Sequence, residues 1–228
     1  MRCWKLEVGL AQDENIPDDV TMPTPSPLNI NCLEWATCPL VSDAYETRIM
    51  DTTICVIDPI NGLHLIAAVY SDSVIRFWLF DEKIREFVLV ADGAFHGKCI
   101  LQVKHAIVKG EEGTGDGILV FTSATDGNFL RSYESGGLKT HQLELAPPVY
   151  NYQAHLSGVN CLDVFQRHDD RYLVATGGED NALAVAVLDV SWGGIGSEIL
   201  SLIVAPSGDI LKVPNAHASS LQGIFEPN

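Results

Sequence analysis

The sequence predicts an all-β protein assembled from repeated four-stranded units. Three observations lead there. One strand–turn–strand signature recurs at equal spacing, apolar residues alternate with a period of two rather than 3.6, and no long helical pattern interrupts them. The signature reads HLIAAVYSDSVIRFWLFD from His64, GILVFTSATDGNFLRSY from Gly117 and YLVATGGEDNALAVAVLDV from Tyr172. Each copy is an apolar strand, a few small or hydroxyl residues, an Asp in a tight turn, and a second alternating strand. The turn aspartates Asp72, Asp126 and Asp180 stand 54 residues apart both times. Equal spacing of one signature marks a repeat architecture.

Taken in chain order, Met1–Leu6 reads as the third strand of a unit whose first half is missing, so residues 1–8 are expected to be the end strand of a truncated unit. Residues 9–31, GLAQDENIPDDVTMPTPSPLNIN, are rich in proline and acids and predict an exposed loop. Residues 32–215 hold the repeats, with turn chemistry at Asp58–Gly62 and Gly113–Gly117. A histidine opens each later unit: His96 in FHGKCILQV, His155 in AHLSGVNCLDV, and His217 in AHASSLQGIF. Residues 216–228 therefore read as the start of a further, truncated unit.

Each unit thus runs His, first strand, second strand, Asp turn, third strand, variable fourth strand. Four strands in roughly 40–50 residues is the pattern of a β-propeller blade. One blade cannot bury both its faces, whereas blades stacked around an axis cover each other. That explains Leu183–Leu188, a strand with no polar face. The expectation is a partial propeller of about three complete blades and two partial ones, an open arc of marginal stability on its own.

These positions resemble the WD40 repeat. In that family a His, a Ser or Thr, an Asp and a Trp form a hydrogen-bonded network that staples the blade, and the resemblance places parts of it here. The first blade offers Asp72 and Trp78, with Ala68 at the hydroxyl position and no preceding His. The second offers His96, Thr122 and Asp126, with Ser132 at the Trp position. The third offers His155, Thr176 and Asp180, with Ala186 at the Trp position. No blade has the full set, so apolar packing is expected to matter more than the network. At a finer level ETRIM (46–50), AAVYSDSVIRFWLF, KCILQVKH, TSATDG, HLSGVNCL and ATGGEDNAL resemble the C-terminal part of the WD repeat-containing protein six family. That family includes the non-catalytic partner of a tRNA ribose 2′-O-methyltransferase acting at the anticodon wobble nucleotide.

Charge narrows the partners. With 14 Lys and Arg against 30 Asp and Glu, the net charge is −16. Such a surface repels phosphate backbones and anionic membranes, so neither DNA nor a membrane is expected as a partner. No apolar run reaches the length of a transmembrane helix, and the N-terminus lacks a signal-peptide core. Cys3, Cys32, Cys38, Cys55, Cys99 and Cys161 form no C-x-x-C pair and are read as reduced thiols, which points to the cytoplasm.

Catalytic and metal readings are weaker than structural ones. His96, His155 and His217 recur with the repeat, which assigns them a repeated structural job rather than catalysis or metal binding. Asp72, Asp126 and Asp180 hold their own turns. No G-x-S-x-G elbow is present, and Gly113–Gly117 lacks the Lys and helix N-terminus of a phosphate cradle. Arg48, Lys98 and Lys104 are too scattered for a tRNA footprint. Trp35 and Trp192 lie near loops and are read as packing residues before binding anchors, and His168–Arg171 as a solvated turn. No catalytic residue, metal site or cofactor is predicted.

The resemblance implies a non-catalytic adaptor that binds a tRNA ribose methyltransferase, with tRNA contacted indirectly. The acidic charge suits a basic protein partner. The alternatives are a generic WD40 interaction module in a ubiquitin-ligase, signalling or trafficking complex, and, further behind, a propeller hydrolase.

Overall fold

A computed structural model describes residues 1–10, 28–41, 47–110, 116–126, 130–134, 151–153, 155–193 and 201–218. These residues form an all-β structure of fifteen strands without a helix. The strands follow the turn chemistry. Asp58 accepts the N–H groups of Ile60 and Asn61, and Asp81 those of Lys83 and Ile84. These carboxylates reverse the chain between alternating apolar runs.

Strands β1 (Arg2–Leu10) and β2 (Leu28–Thr37) form an antiparallel hairpin with a register shift at Cys3/Trp4. Both ends of the expected 9–31 loop are therefore strand, and its middle, 11–27, lies outside the described residues. The first full blade is β3 (Ile49–Asp58), β4 (Leu63–Tyr70), β5 (Ile75–Asp81) and β6 (Glu86–Gly93), each paired antiparallel with the next. The second is β7 (Ile100–Val108), β8 (Gly117–Ala124), β9 (Leu130–Glu134) and β10 (Asn151–Tyr152). The third is β11 (Val159–Gln166), β12 (Tyr172–Gly178), β13 (Leu183–Gly193) and β14 (Ser201–Pro206). There β15 (Leu211–Val213) continues along the free half of β13.

Three apolar seams stack these sheets in chain order. Cys38, Tyr70, Trp78, Phe80 and Phe87 join the hairpin to the first blade, with Met1, Cys3 and Trp35 packed alongside. Leu65, Ile75, Phe77, Ile100, Val103 and Ile118 join the first blade to the second. Leu119, Phe121, Leu162, Tyr172 and Leu188 join the second to the third. Strand β8 is buried along its whole length, as a strand covered on both faces requires.

The two end faces are open. On the hairpin, Leu6 pairs Cys32 and Val8 pairs Ile30, so these side chains share a face with Trp4. Trp4, Leu6, Val8 and Ile30 on that face are all more than half exposed. On the third blade, Phe165, Ile203, Leu211 and Val213 alternate with the residues facing the second blade and are exposed on the far side. The chain is thus a partial WD40-type propeller, an arc of stacked blades. The expected further unit at 216–228 lies outside the described residues from 219 onward.

Candidate functional site

The Asp turns recur in space as they do in sequence. Backbone bonds pin each to the segment leading into its blade: Ser71 N–H to Arg48 O, Thr125 N–H to Cys99 O, and Glu179 N–H to Gly158 O. Ser73 and Asn181, at matching positions, have φ of 69° and 59°. This left-handed conformation is the one a short hairpin turn needs.

The third blade holds the fullest polar network. His155, 1% exposed, faces Asp180 Oδ1 at 2.8 Å through Nδ1 and Thr176 Oγ1 at 3.0 Å through Nε2. Asp180 also accepts the N–H groups of Leu156 and Ala182 and meets the Lys212 ammonium at 3.2 Å. Burial alone would raise the Asp180 carboxyl, but the bonds from Leu156, His155 and Lys212 hold it well below the usual carboxylate range. Gly178 is required beside this network. A Cβ there would lie 2.5 Å from His155 Nδ1 and 2.7 Å from Asp180 Oδ1.

In the second blade His96 Nε2 lies 2.8 Å from Thr122 Oγ1, and Asp126 accepts Gly97 N–H. Gly97 and Leu156 each follow the blade histidine, so the two blades use the same backbone donor. The first blade differs. Asp72 caps Val74 N–H, and the Arg76 guanidinium reaches Asp72 with two bonds, at 3.2 and 2.8 Å. Arg76 also lies 4.4 Å above the Tyr70 ring, whose hydroxyl accepts the Trp78 indole N–H. A bidentate arginine thus stands on the turn Asp where the third blade uses His155. Sequence reading missed Arg76; the signal was an Arg four residues after the one turn Asp that lacks a His.

His217 does not match its expected counterparts. His96 and His155 are buried, whereas His217 is exposed after β15. The blade it would open lies outside the described residues from 219 onward. Trp35 packs edge-on against Phe80, and Trp192 donates to Lys109 O across the seam between the second and third blades. Both are packing residues. Lys104 faces Asp163 at 3.7 Å, and Asp169 gathers Arg167 and Arg171 in an exposed turn. The Gly113–Gly117 loop lies outside the described residues up to 115.

The seams also carry polar links. Each innermost strand begins with a register shift, at Ile49/Asp51, Ile100/Gln102 and Val159/Cys161. From that position Asp51 accepts Val103 N–H of the second blade at 3.0 Å. Gln102 accepts Leu162 N–H of the third at 2.6 Å. In the third blade the place belongs to Cys161, whose thiol turns back to Gly177 O of its own sheet. Tyr172 OH adds a bond to Ile107 O across the seam between the second and third blades.

Among the described residues no cluster of three or more His, Cys, Asp or Glu is placed to hold a metal ion. All six cysteines are free thiols. Burial pushes the Cys38 thiol up to about 11 and also raises those of Cys3, Cys55, Cys99 and Cys161, which disfavours the nucleophilic thiolate.

No protein-family model matches the chain. The chain is 29% identical over 194 residues to "tRNA (34-2'-O)-methyltransferase regulator WDR6" of Bos taurus and, equally, of Homo sapiens. It is 30% identical over 198 residues to the Mus musculus protein of the same name. These matches cover 78% of this chain but 17–18% of those proteins, so the chain spans less than a fifth of their length. A chain of a humanised mutant of the Chaetomium thermophilum Polycomb Repressive Complex 2, bound to the inhibitor GSK343, overlays with a TM-score of 0.45. That overlay covers 67% of this chain and 32% of the other at 13% identity, too loose to bear on fold or function.

Proposed function

We propose that this chain is a non-catalytic scaffold that supports 2′-O-ribose methylation of the tRNA wobble nucleotide by binding the methyltransferase. The observation that carries this reading is the similarity, over 78% of the chain, to proteins named as regulators of a tRNA (34-2'-O)-methyltransferase. The structure is compatible with it. His96 and His155 are buried in blade-turn networks with the turn aspartates, and the exposed apolar faces offer area for contacts. The net charge of −16 favours a basic protein over direct tRNA contact. Reduced thiols fit action in the cytoplasm.

The test is to co-purify the full-length protein with the methyltransferase and map wobble ribose methylation in cells that lack it. Co-purification and lost methylation are expected. Methylation that persists unchanged removes the proposal.

A further inference from the structure

The seam between the first and second blades contains a titratable group. His105, on β7, points into an otherwise apolar contact. Lining it are Thr53 and Cys55 of β3, Leu65 and Ala67 of β4, Phe77 of β5, and Ile118 and Val120 of β8. The space left between them is about 10 Å³, at the lower bound for one water. One polar contact crosses here, from Thr53 Oγ1 to His105 Nδ1 at 2.6 Å.

The repeat makes the histidine stand out. Counting three residues on from the register shift at Asp51, Gln102 and Cys161 gives Ile54, His105 and Val164. Two of the three blades place a β-branched apolar residue where the second places an imidazole. Nor is His105 part of the turn networks, which use His96 and His155.

We propose that His105 is a pH-sensitive lock on this seam: the neutral ring joins the two blades, and its protonation loosens them. A neutral imidazole can exchange one hydrogen bond with Thr53 and rest its apolar faces on the lining. An imidazolium must donate from both nitrogens, and Thr53 serves only Nδ1. Few groups are available to compensate the charge. Strand β3 presents the Cys55 thiol, kept protonated by burial. Near the strand start β3 also presents Asp51, whose carboxylate accepts Thr52 and Val103 N–H. Strands β4, β5 and β8 present only apolar side chains here. On β7 itself, Lys104 points to the opposite seam and faces Asp163.

Burial lowers the pKa of His105 in the folded protein, and that fixes the sign. The folded value lies below the unfolded one, near 6.5. The stabilisation is therefore complete above about pH 6.5 and is lost as pH falls through the folded value.

The test compares urea midpoints of the full chain and its His105→Val variant, which carries the third blade's residue, from pH 8 to pH 5. Below about pH 6.5 the folded-to-unfolded ratio of the wild type falls further than that of the variant, by about tenfold for each unit the fold lowers the pKa. Parallel profiles overturn the proposal. If the variant does not fold, a histidine-ring NMR titration of the wild type decides. A His105 resonance titrating below 6.5 supports the lock, and one titrating at or above it overturns it.

Discussion

At the scale of single residues, the turn aspartates share a position but not a partner. Asp72 is held by an arginine fork, Asp180 by a histidine, a lysine and two backbone N–H groups. Asp180, its side chain 12% exposed, has its carboxyl held far below the usual carboxylate range. A folded pKa below the unfolded value gives stability that is present above about pH 3.9 and lost as pH falls further. Asp180→Asn is expected to lower the unfolding free energy at pH 7, read from urea unfolding, by about 1–3 kcal/mol, since the buried His155 loses its charged acceptor. It should also flatten the acid limb of a pH–stability curve. A variant with the wild-type acid limb would show that Asp180 carries no such load.

At the scale of strands, the informative bonds link one blade's innermost strand to the next. Asp51 and Gln102 place side-chain acceptors on backbone donors that no ladder partner reaches. Gln102→Ala leaves Leu162 N–H without its acceptor in a half-buried seam, at a cost of about 1–3 kcal/mol. By contrast, Lys104→Met removes only an ion pair with a half-exposed lysine, worth less than about 1 kcal/mol. Denaturant midpoints of the two variants, measured together, should rank in that order. Equal effects would mean the side-chain acceptor adds nothing to apolar packing.

At the scale of the whole molecule, three seams hold the sheets together and two faces remain apolar and uncovered. Ile203 and Leu211 lie on one of them at 53% and 62% exposure. Replacing both with lysine in this 228-residue chain should reduce binding of a hydrophobic dye such as ANS. Stability should stay within about 0.5 kcal/mol, as for other surface changes. A large loss of stability would show that this face is already packed in the isolated chain.

The sequence by itself determined the strands, their repeat and the three Asp turns. Alternation and turn chemistry act within a few residues of chain, so the alternating apolar runs announce strands and Asp72, Asp126 and Asp180 announce reversals. Leu183–Leu188, read as covered on both faces, is instead buried only at Ala184, Ala186 and Leu188, its other residues facing the open side of the third blade. The WD40 resemblance also paired His96 with Thr122 and His155 with Thr176. The sequence did not reveal Arg76 as the first blade's substitute, nor that residues 28–31 pair with β1, nor that His217 is exposed. Least legible were the cross-seam links of Asp51 to Val103, Gln102 to Leu162, and Tyr172 to Ile107, which join residues 52, 60 and 65 positions apart. Only tertiary structure decides these, because they depend on strand register and on how one twisted sheet settles on the next, and no local pattern encodes that meeting.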